Sequence, residues 1–250
     1  MTTSAPAANN LTATLFRPSF YFWMTLLMAG FVFGGFGMTY LYPMSAGTFP
    51  TAPPVVHVHG LVFFCWMLLL VGQSLLINVR NVALHRSLGM FGIALATLVI
   101  MMGAIITLLG AAASRETPSP TYYDGIYLGI MAVCGFAFLF TLALRNTRKP
   151  EIHKRLILLA MLPLLPPGIH RLYMVPFGLQ TFPIVAMYIT LNLLALAILI
   201  QEWRSSGRIG KYTIIGVAWL VVQQTLHATI LDTVFFKDFI YDLAGMVRYR

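Results

Sequence analysis

The chain has 250 residues, of which 59% are hydrophobic and only 9% are charged, and its mean hydropathy is +0.82. A soluble domain carries about 25% charged residues, so this composition excludes an ordinary water-facing surface and indicates an integral membrane protein. The formal net charge of +9 does not indicate a nucleic-acid partner, because the basic residues lie in short loops between apolar runs. The two cysteines, Cys65 and Cys134, stand apart in apolar runs, which favours buried free thiols over a disulfide or a thiolate metal site.

Apolar runs long enough to cross a bilayer divide the chain into three parts. A bilayer core of about 30 Å needs roughly 20 apolar residues per helix. We predict a short polar tail at residues 1–19, an all-α bundle of about seven transmembrane helices at residues 20–235, and an interfacial tail at residues 236–250. A bundle of six spans with a re-entrant last segment is the alternative. The predicted spans are Phe20–Tyr42, Val56–Asn78, Leu88–Ala113, Ile126–Leu144, Leu156–Tyr173, Phe182–Ile200 and Tyr212–Phe235.

The basic residues predict the orientation of the bundle. Eleven of the 16 Lys and Arg residues lie before span one or in the loops after spans two, four and six, and the other five lie on the opposite side. Because cytoplasmic loops carry the excess of Lys and Arg, the N-terminus is predicted inside and the C-terminus outside. The C-terminal tail is predicted to be a short amphipathic helix on the outer membrane surface. Its apolar face would consist of Phe236, Phe239, Ile240 and Leu243.

The predicted topology places four of the six histidines in the outer half of the membrane. His57 and His59 open span two, His170 closes span five, and His227 lies in the outer third of span seven. They are the candidate ligands for a haem or a transition metal, because haem iron, copper and zinc all accept imidazole. A regular helix would point His57 and His59 apart, whereas an extended start after Pro53 and Pro54 would let both serve one site.

Span seven and the end of span five carry further polar candidates. Gln223 and His227 are four residues apart and therefore share one helix face. That face either hydrogen-bonds to neighbouring helices or contributes to a ligand site. Arg171 lies on the side that is poor in basic residues, and it is predicted either to form a salt bridge or to hold an anionic group such as a haem propionate. The acidic candidates for that salt bridge are Asp124, Glu116 and Asp232.

The two inner histidines, His85 and His153, each open a span among basic residues. They either mark helix starts at the membrane surface or form the axial pair of a second b-type haem, whose propionates the basic neighbours would suit. His153 and His170 are 17 residues apart in span five, about 25 Å along a helix, so this span reaches a site near each membrane face. A break beside His170 is predicted at three prolines: Pro163, Pro166 and Pro167.

Three motifs carry a resemblance: His57-Val58-His59-Gly60, His85-Arg86-Ser87-Leu88-Gly89 and Glu151-Ile152-His153-Lys154-Arg155-Leu156. They resemble a family of uncharacterised bacterial membrane proteins in which HxHG opens one span, HRxLG the next and HKRL a later one. The resemblance covers about Phe20 to Tyr173 and implies a location in the bacterial cytoplasmic membrane, with His57, His59, His85 and His153 as the motif histidines. The chain also looks loosely like cytochrome b561-type proteins, whose helix-borne histidines hold two haems near opposite membrane faces. Span four supplies no histidine, so such pairing would have to use spans two, three, five and seven.

These features support two hypotheses of function. The first is a redox or electron-transfer protein that holds haem b or a histidine-ligated metal and works with a lipid-soluble partner such as a quinone. The second is a non-catalytic accessory subunit that packs within a larger membrane complex. For that role, four glycines in span one would allow close helix approach: Gly30, Gly34, Gly35 and Gly37. A transporter is less supported because no inverted repeat is visible, and no GxSxG motif indicates serine-hydrolase chemistry.

Overall fold

A computed structural model describes residues 18–113, 122–179 and 181–246 of the chain. Throughout these residues the regular secondary structure is helical and contains no strand, which confirms the predicted all-α fold class. We number nine helices along the described chain. They are α1 Phe20–Ser45, α2 Pro54–Asn78, α3 Val82–Ala113, α4 Tyr122–Arg145, α5 Pro150–Met161, α6 Pro166–Phe177, α7 Ile184–Ser206, α8 Lys211–Ile230 and α9 Val234–Gly245.

Six of these helices, α1 to α4, α7 and α8, are long and apolar enough to cross a membrane. The pair α5 and α6 makes a seventh candidate span, broken by a 3-10 turn at Leu162–Leu164 and bent by 48°. Proline lacks a backbone N–H and its ring clashes with the preceding turn, so Pro163 and Pro166 explain the break. The irregular span is therefore span five, whereas the last long helix, Lys211–Ile230, is continuous.

Spans that follow one another in the sequence pack side by side. We call the end at which α2 and α4 begin the outer end, and the end at which α3 and α5 begin the inner end, after the predicted orientation. Helices α2 and α3 pack along each other, as do α4 and α5, while α1 lies against α2 and α6. Helix α8 packs against α5 and α4, and α7 lies at the edge against α6 and α8. All nine helices contribute residues to the buried core, α7 through Met187, Leu191 and Ile198.

Two glycines set the approach of α1 to α6. Gly35 and Gly168 meet so closely that a Cβ atom added to either would collide with the backbone of the other helix. Small residues allow this close packing in membranes, where it replaces the hydrophobic effect as a source of helix association. Gly35, one of the four glycines of span one, therefore packs against another helix of the same chain and not against another subunit.

The C-terminal helix α9 packs on the outer ends of α3 and α4. Of the predicted apolar face, Phe236 and Ile240 are buried, Leu243 is partly buried and Phe239 is exposed, while Ala244 joins the buried side. Its position on the membrane surface stays a prediction, as does the orientation of the bundle.

The two cysteines differ from expectation in their surroundings. Cys65 and Cys134 are free thiols, but both lie exposed on the outside of the bundle. The prediction that they are buried is wrong, because an apolar run in a membrane helix faces lipid as well as the protein core.

Candidate functional site

A cavity of about 390 Å³ lies in the outer half of the bundle, between α1, α2, α3, α4 and α6. Its volume falls within the range of roughly 300–1,000 Å³ that is typical of small-molecule sites. Part of its space exists because Gly110 and Gly125 carry no side chain, and a Cβ atom added to either would meet nothing within 4 Å. The wall is mainly apolar and rich in aromatic rings: Phe36, Phe63, Phe64, Trp66 and Phe182.

His170, in α6 just after the proline break, lines this cavity. Its Nδ1 lies 3.2 Å from the carbonyl oxygen of Pro166. A carbonyl oxygen only accepts, so in this hydrogen bond Nδ1 carries the hydrogen and Nε2 is left with a free lone pair. The ring also stacks on Phe182 at a centroid distance of 4.6 Å. His170 thus has a fixed orientation and one nitrogen free to accept a ligand, as a metal-ligating histidine requires.

His59, in the second turn of α2, lines the same cavity. Its ring packs on Phe63 with centroids 4.2 Å apart and reaches the backbone of Met102. Its Nδ1 is buried and has no hydrogen-bond partner in the described part of the chain. Because an unpartnered buried polar atom costs free energy, a group that bonded there would stabilise the site.

His57 does not line the cavity but contacts the end of α1. Its Nδ1 lies 2.8 Å from the hydroxyl of Tyr40. Helix α2 begins at Pro54, so His57 and His59 are both helical and face different neighbours. Of the two alternatives for this segment, the regular helix is the one formed, since proline suits the first position of a helix, where its missing N–H needs no partner.

His227 belongs to a separate polar cluster between α8, α4 and α7. Its Nε2 lies 3.1 Å from Oδ1 of Asp124, at ion-pair distance although without hydrogen-bond alignment. Its ring contacts Tyr127 and Tyr188 at centroid distances of 4.8 and 5.7 Å. Gln223 is 3% exposed and His227 4%, which confirms that the two share an inward face. The four outer histidines are therefore not gathered at one point: two line the cavity and two lie elsewhere.

Arg171 packs beside the cavity. Its guanidinium carbon lies 4.3 Å from the ring centroid of Phe36, Nε donates to Oγ1 of Thr39 at 3.0 Å, and one NH2 group donates to the carbonyl oxygen of Pro167 at 2.6 Å.

The salt bridge predicted for Arg171 is not formed with the two candidates that the structure describes. Asp124 pairs with His227, and Asp232 pairs with Lys237. The third candidate, Glu116, lies outside the described residues. Within the described residues, Arg171 is thus a cation beside the cavity without a carboxylate at ion-pair distance.

The two inner histidines lie in the first turns of their helices, His85 in α3 and His153 in α5. Nδ1 of His153 lies 2.9 Å from the carbonyl oxygen of Ala143, which leaves its Nε2 with a free lone pair. Nδ1 of His85 is buried without a partner among the described residues, and the ring reaches the backbone of Gln73. The broken span α5–α6 therefore contributes one histidine to each end of the bundle.

Sequence reasoning missed most of the cavity wall. Thr39 lies in a π-helical turn, Gly37–Leu41, that no motif predicted, and it holds Arg171 in place. The signal that was present is the spacing after the first motif: Phe63 follows His59 by one helical turn and packs on its ring.

The chemistry that the site offers is two imidazoles on an apolar, aromatic wall with a cation beside it. Across residues 18–113, 122–179 and 181–246, no group of three or more His, Cys, Asp or Glu side chains is arranged to hold a metal ion.

No protein-family model matches the chain, and neither a curated protein nor a solved structure matches it.

Proposed function

We propose that this protein is a membrane redox protein that binds haem b in the outer cavity, where His59 and His170 would hold the iron. The observation that carries the proposal is that both histidines, from α2 and α6, line one apolar and aromatic cavity. The porphyrin supplies four nitrogens to its iron, so two imidazoles and an apolar wall are sufficient to hold it. When bound, the haem would supply one-electron chemistry, and the protein would fix its position and exclude water.

The position of Arg171 favours a ligand with an anionic group. It is a cation beside the cavity with no carboxylate at ion-pair distance in the described chain, and it lies next to His170 in sequence. A guanidinium in apolar surroundings is stabilised by an anionic partner, and a haem propionate would provide one. The aromatic contact with Phe36 keeps the side chain beside the cavity wall.

The proposal extends to a second haem at the inner end, held by His85 and His153. Nε2 of His153 is free, and Nδ1 of His85 is buried without a described partner. Because α5–α6 carries one histidine of each pair, two haems would lie near opposite ends of the bundle. Electrons would then pass across the membrane, with a quinone in the lipid as the expected partner.

An optical spectrum tests this function. The protein is produced in a haem-replete bacterial host, purified without chelators and measured before and after reduction with dithionite. We expect a Soret band whose intensity corresponds to two haems per chain. His59→Ala and His170→Ala should each lose about half of it, whereas the matched controls His57→Ala and His227→Ala should keep it all. A folded protein without a Soret band overturns the haem proposal, and full occupancy in both cavity variants overturns the ligand assignment.

A second candidate function is the accessory subunit. It is favoured by Gly30 and Gly37 of α1, where an added Cβ atom would meet nothing within 4 Å in this chain, so both could receive a helix of another subunit. Gentle extraction followed by mass spectrometry tests it. A stoichiometric membrane partner that Gly30→Leu displaces would support this role, and a chain that purifies alone would contradict it.

A further inference from the structure

A second cavity, also of about 390 Å³, lies at the inner end, where the start of α5, the end of α7 and the start of α8 meet. Its wall is basic. Four cationic side chains line it, Lys149, Arg155, Arg208 and Lys211, against one acidic side chain, Glu202. We call it the basic pocket. It shares no residue with the histidine-lined cavity, so ligand binding in the basic pocket does not depend on the proposed haem function.

A buried ion pair forms the floor of the basic pocket. Arg155 is 6% exposed and Glu202 4%, and an NH2 group of Arg155 donates to Oε1 of Glu202 at 2.8 Å. The other NH2 group of Arg155 donates to Oε2 of Glu151 at 3.1 Å.

Two polar atoms of this ion pair stay without partners. Nε of Arg155 and Oε2 of Glu202 are buried and have no hydrogen-bond partner among the described residues. Both residues line the basic pocket, so one unsatisfied donor and one unsatisfied acceptor lie within its wall. A bound group that accepts a hydrogen bond from Nε of Arg155 and donates one to Oε2 of Glu202 would remove the free-energy penalty of leaving these two atoms unpaired.

The start of α8 adds to the positive potential. This helix has 20 residues and begins at Lys211, and Gly210 before it provides no side-chain cap. The N–H of Thr213 donates to the carbonyl oxygen of Gly210 at 3.1 Å, so the N–H groups of Lys211 and Tyr212 are the ones left for an anion. Residues 210–213 line the basic pocket. A Cβ atom added to Gly210 would lie 3.0 Å from Oε1 of Glu202, so glycine leaves room for the carboxylate.

We propose that the basic pocket binds the head group of an anionic phospholipid that carries both a phosphate and hydroxyl donors, as phosphatidylglycerol does. The phosphate oxygens would accept from Nε of Arg155 and from the cations of the rim, Lys149, Arg208 and Lys211. A head-group hydroxyl would donate to Oε2 of Glu202. Basic pockets between membrane helices on the cytoplasmic side bind such head groups, and the inner end is the end that the loop charges predict to be cytoplasmic.

The experiment measures binding to the purified full-length protein in detergent. Phosphatidylglycerol, phosphatidylcholine and inorganic phosphate are each titrated, and binding is read from intrinsic fluorescence and from the thermal unfolding midpoint. The test variant is Lys149→Gln with Arg208→Gln, which removes two rim charges and leaves the buried pair intact. The control is Arg145→Gln with Arg204→Gln, which removes two exposed charges that do not line the basic pocket.

We expect phosphatidylglycerol to bind and to raise the unfolding midpoint, while phosphatidylcholine at equal concentration does not. The rim variant should weaken phosphatidylglycerol binding about tenfold or more, and the control variant by less than about twofold. Inorganic phosphate that protects as well as the lipid would overturn the lipid source, and the pocket would then be a soluble-phosphate site. Equal binding of both lipids, or equal affinity in both variants, would overturn the site itself.

Discussion

Nε2 of His227 lies 3.1 Å from Oδ1 of Asp124, and this pair joins α8 to α4 in the outer half of the bundle. The sequence left Asp124 open as a salt-bridge partner of Arg171 and His227 as a ligand of the outer site, and the pair excludes both roles. Asp124 is engaged and is not the partner of Arg171, while His227 is turned away from the histidine-lined cavity. A carboxylate and an imidazole inside a membrane protein each need a polar neighbour, and here each provides it for the other.

The first prediction concerns this pair. Asp124→Ala should lower the free energy of unfolding by about 1–2 kcal/mol, because it leaves the imidazole of His227 without its polar partner in the helix interface. Thermal unfolding in detergent measures the change. Asp232→Ala is the matched control, since the Asp232 side chain is fully exposed and pairs with Lys237 only at 3.4 Å. An equal loss in both variants would show that the interhelical pair has no special role.

The second prediction concerns the contact of α1 with α6. Gly35→Leu places a side chain against the backbone at Gly168 and should cost about 1–3 kcal/mol of stability, or prevent folding altogether. At Gly30 in the same helix an added Cβ atom meets nothing within 4 Å, so Gly30→Leu should leave the unfolding midpoint unchanged or slightly raised. Yield and thermal unfolding in detergent compare the two. A tolerated Gly35→Leu would contradict the close backbone contact.

Much of the fold follows from the sequence because the bilayer imposes strong constraints. Every span must be helical and about 20 residues long, so apolar runs and loop breakers define the helices closely. The prolines at 163 and 166 also predict the break in span five, since each removes a backbone donor. Orientation rests on a statistical charge rule and not on packing, and for that reason it stays a prediction.

The candidate site is less accessible to sequence reasoning, because neighbouring positions on one helix can face different partners. His57 and His59 belong to one motif, yet one contacts Tyr40 and the other lines the cavity. That separation depends on where α2 begins, and the two prolines before it are compatible with either a helical or an extended start. Hydrogen-bond partners such as Thr39 for Arg171 depend on the contact of α1 with α6, which no local pattern encodes.

The third prediction concerns the floor of the basic pocket. Arg155→Leu should cost about 3–5 kcal/mol, because it leaves the buried carboxylate of Glu202 unpaired. Glu202→Leu should cost less, because Arg155 still pairs with Glu151, and the double variant should cost less than the sum of the two. Unfolding measurements on the four proteins of this double-mutant cycle give the coupling. Lys154→Leu is the control: its partner Glu151 is largely exposed, so it should change stability by less than about 1 kcal/mol. Additive losses would contradict a coupled buried pair.

The fourth prediction fills the histidine-lined cavity without touching either histidine. Gly110 and Gly125 line it and have open space where a Cβ atom would stand, so Gly110→Leu and Gly125→Leu should fold while occupying volume that a ligand needs. We expect each to lower haem occupancy of the outer site about tenfold, read as loss of about half of the Soret absorbance with an unchanged unfolding midpoint of the haem-free protein.

Gly72→Leu is the matched control for cavity filling, because Gly72 also has open space but does not line the cavity. It should keep full occupancy. If the two cavity variants bind haem as the unchanged protein does, the ligand does not lie between His59 and His170, even if both histidines prove necessary for binding. If His59→Ala and the two cavity variants each lose the same half of the Soret absorbance, the histidine and the cavity belong to one haem site. This conclusion does not depend on whether His85 and His153 bind a second haem.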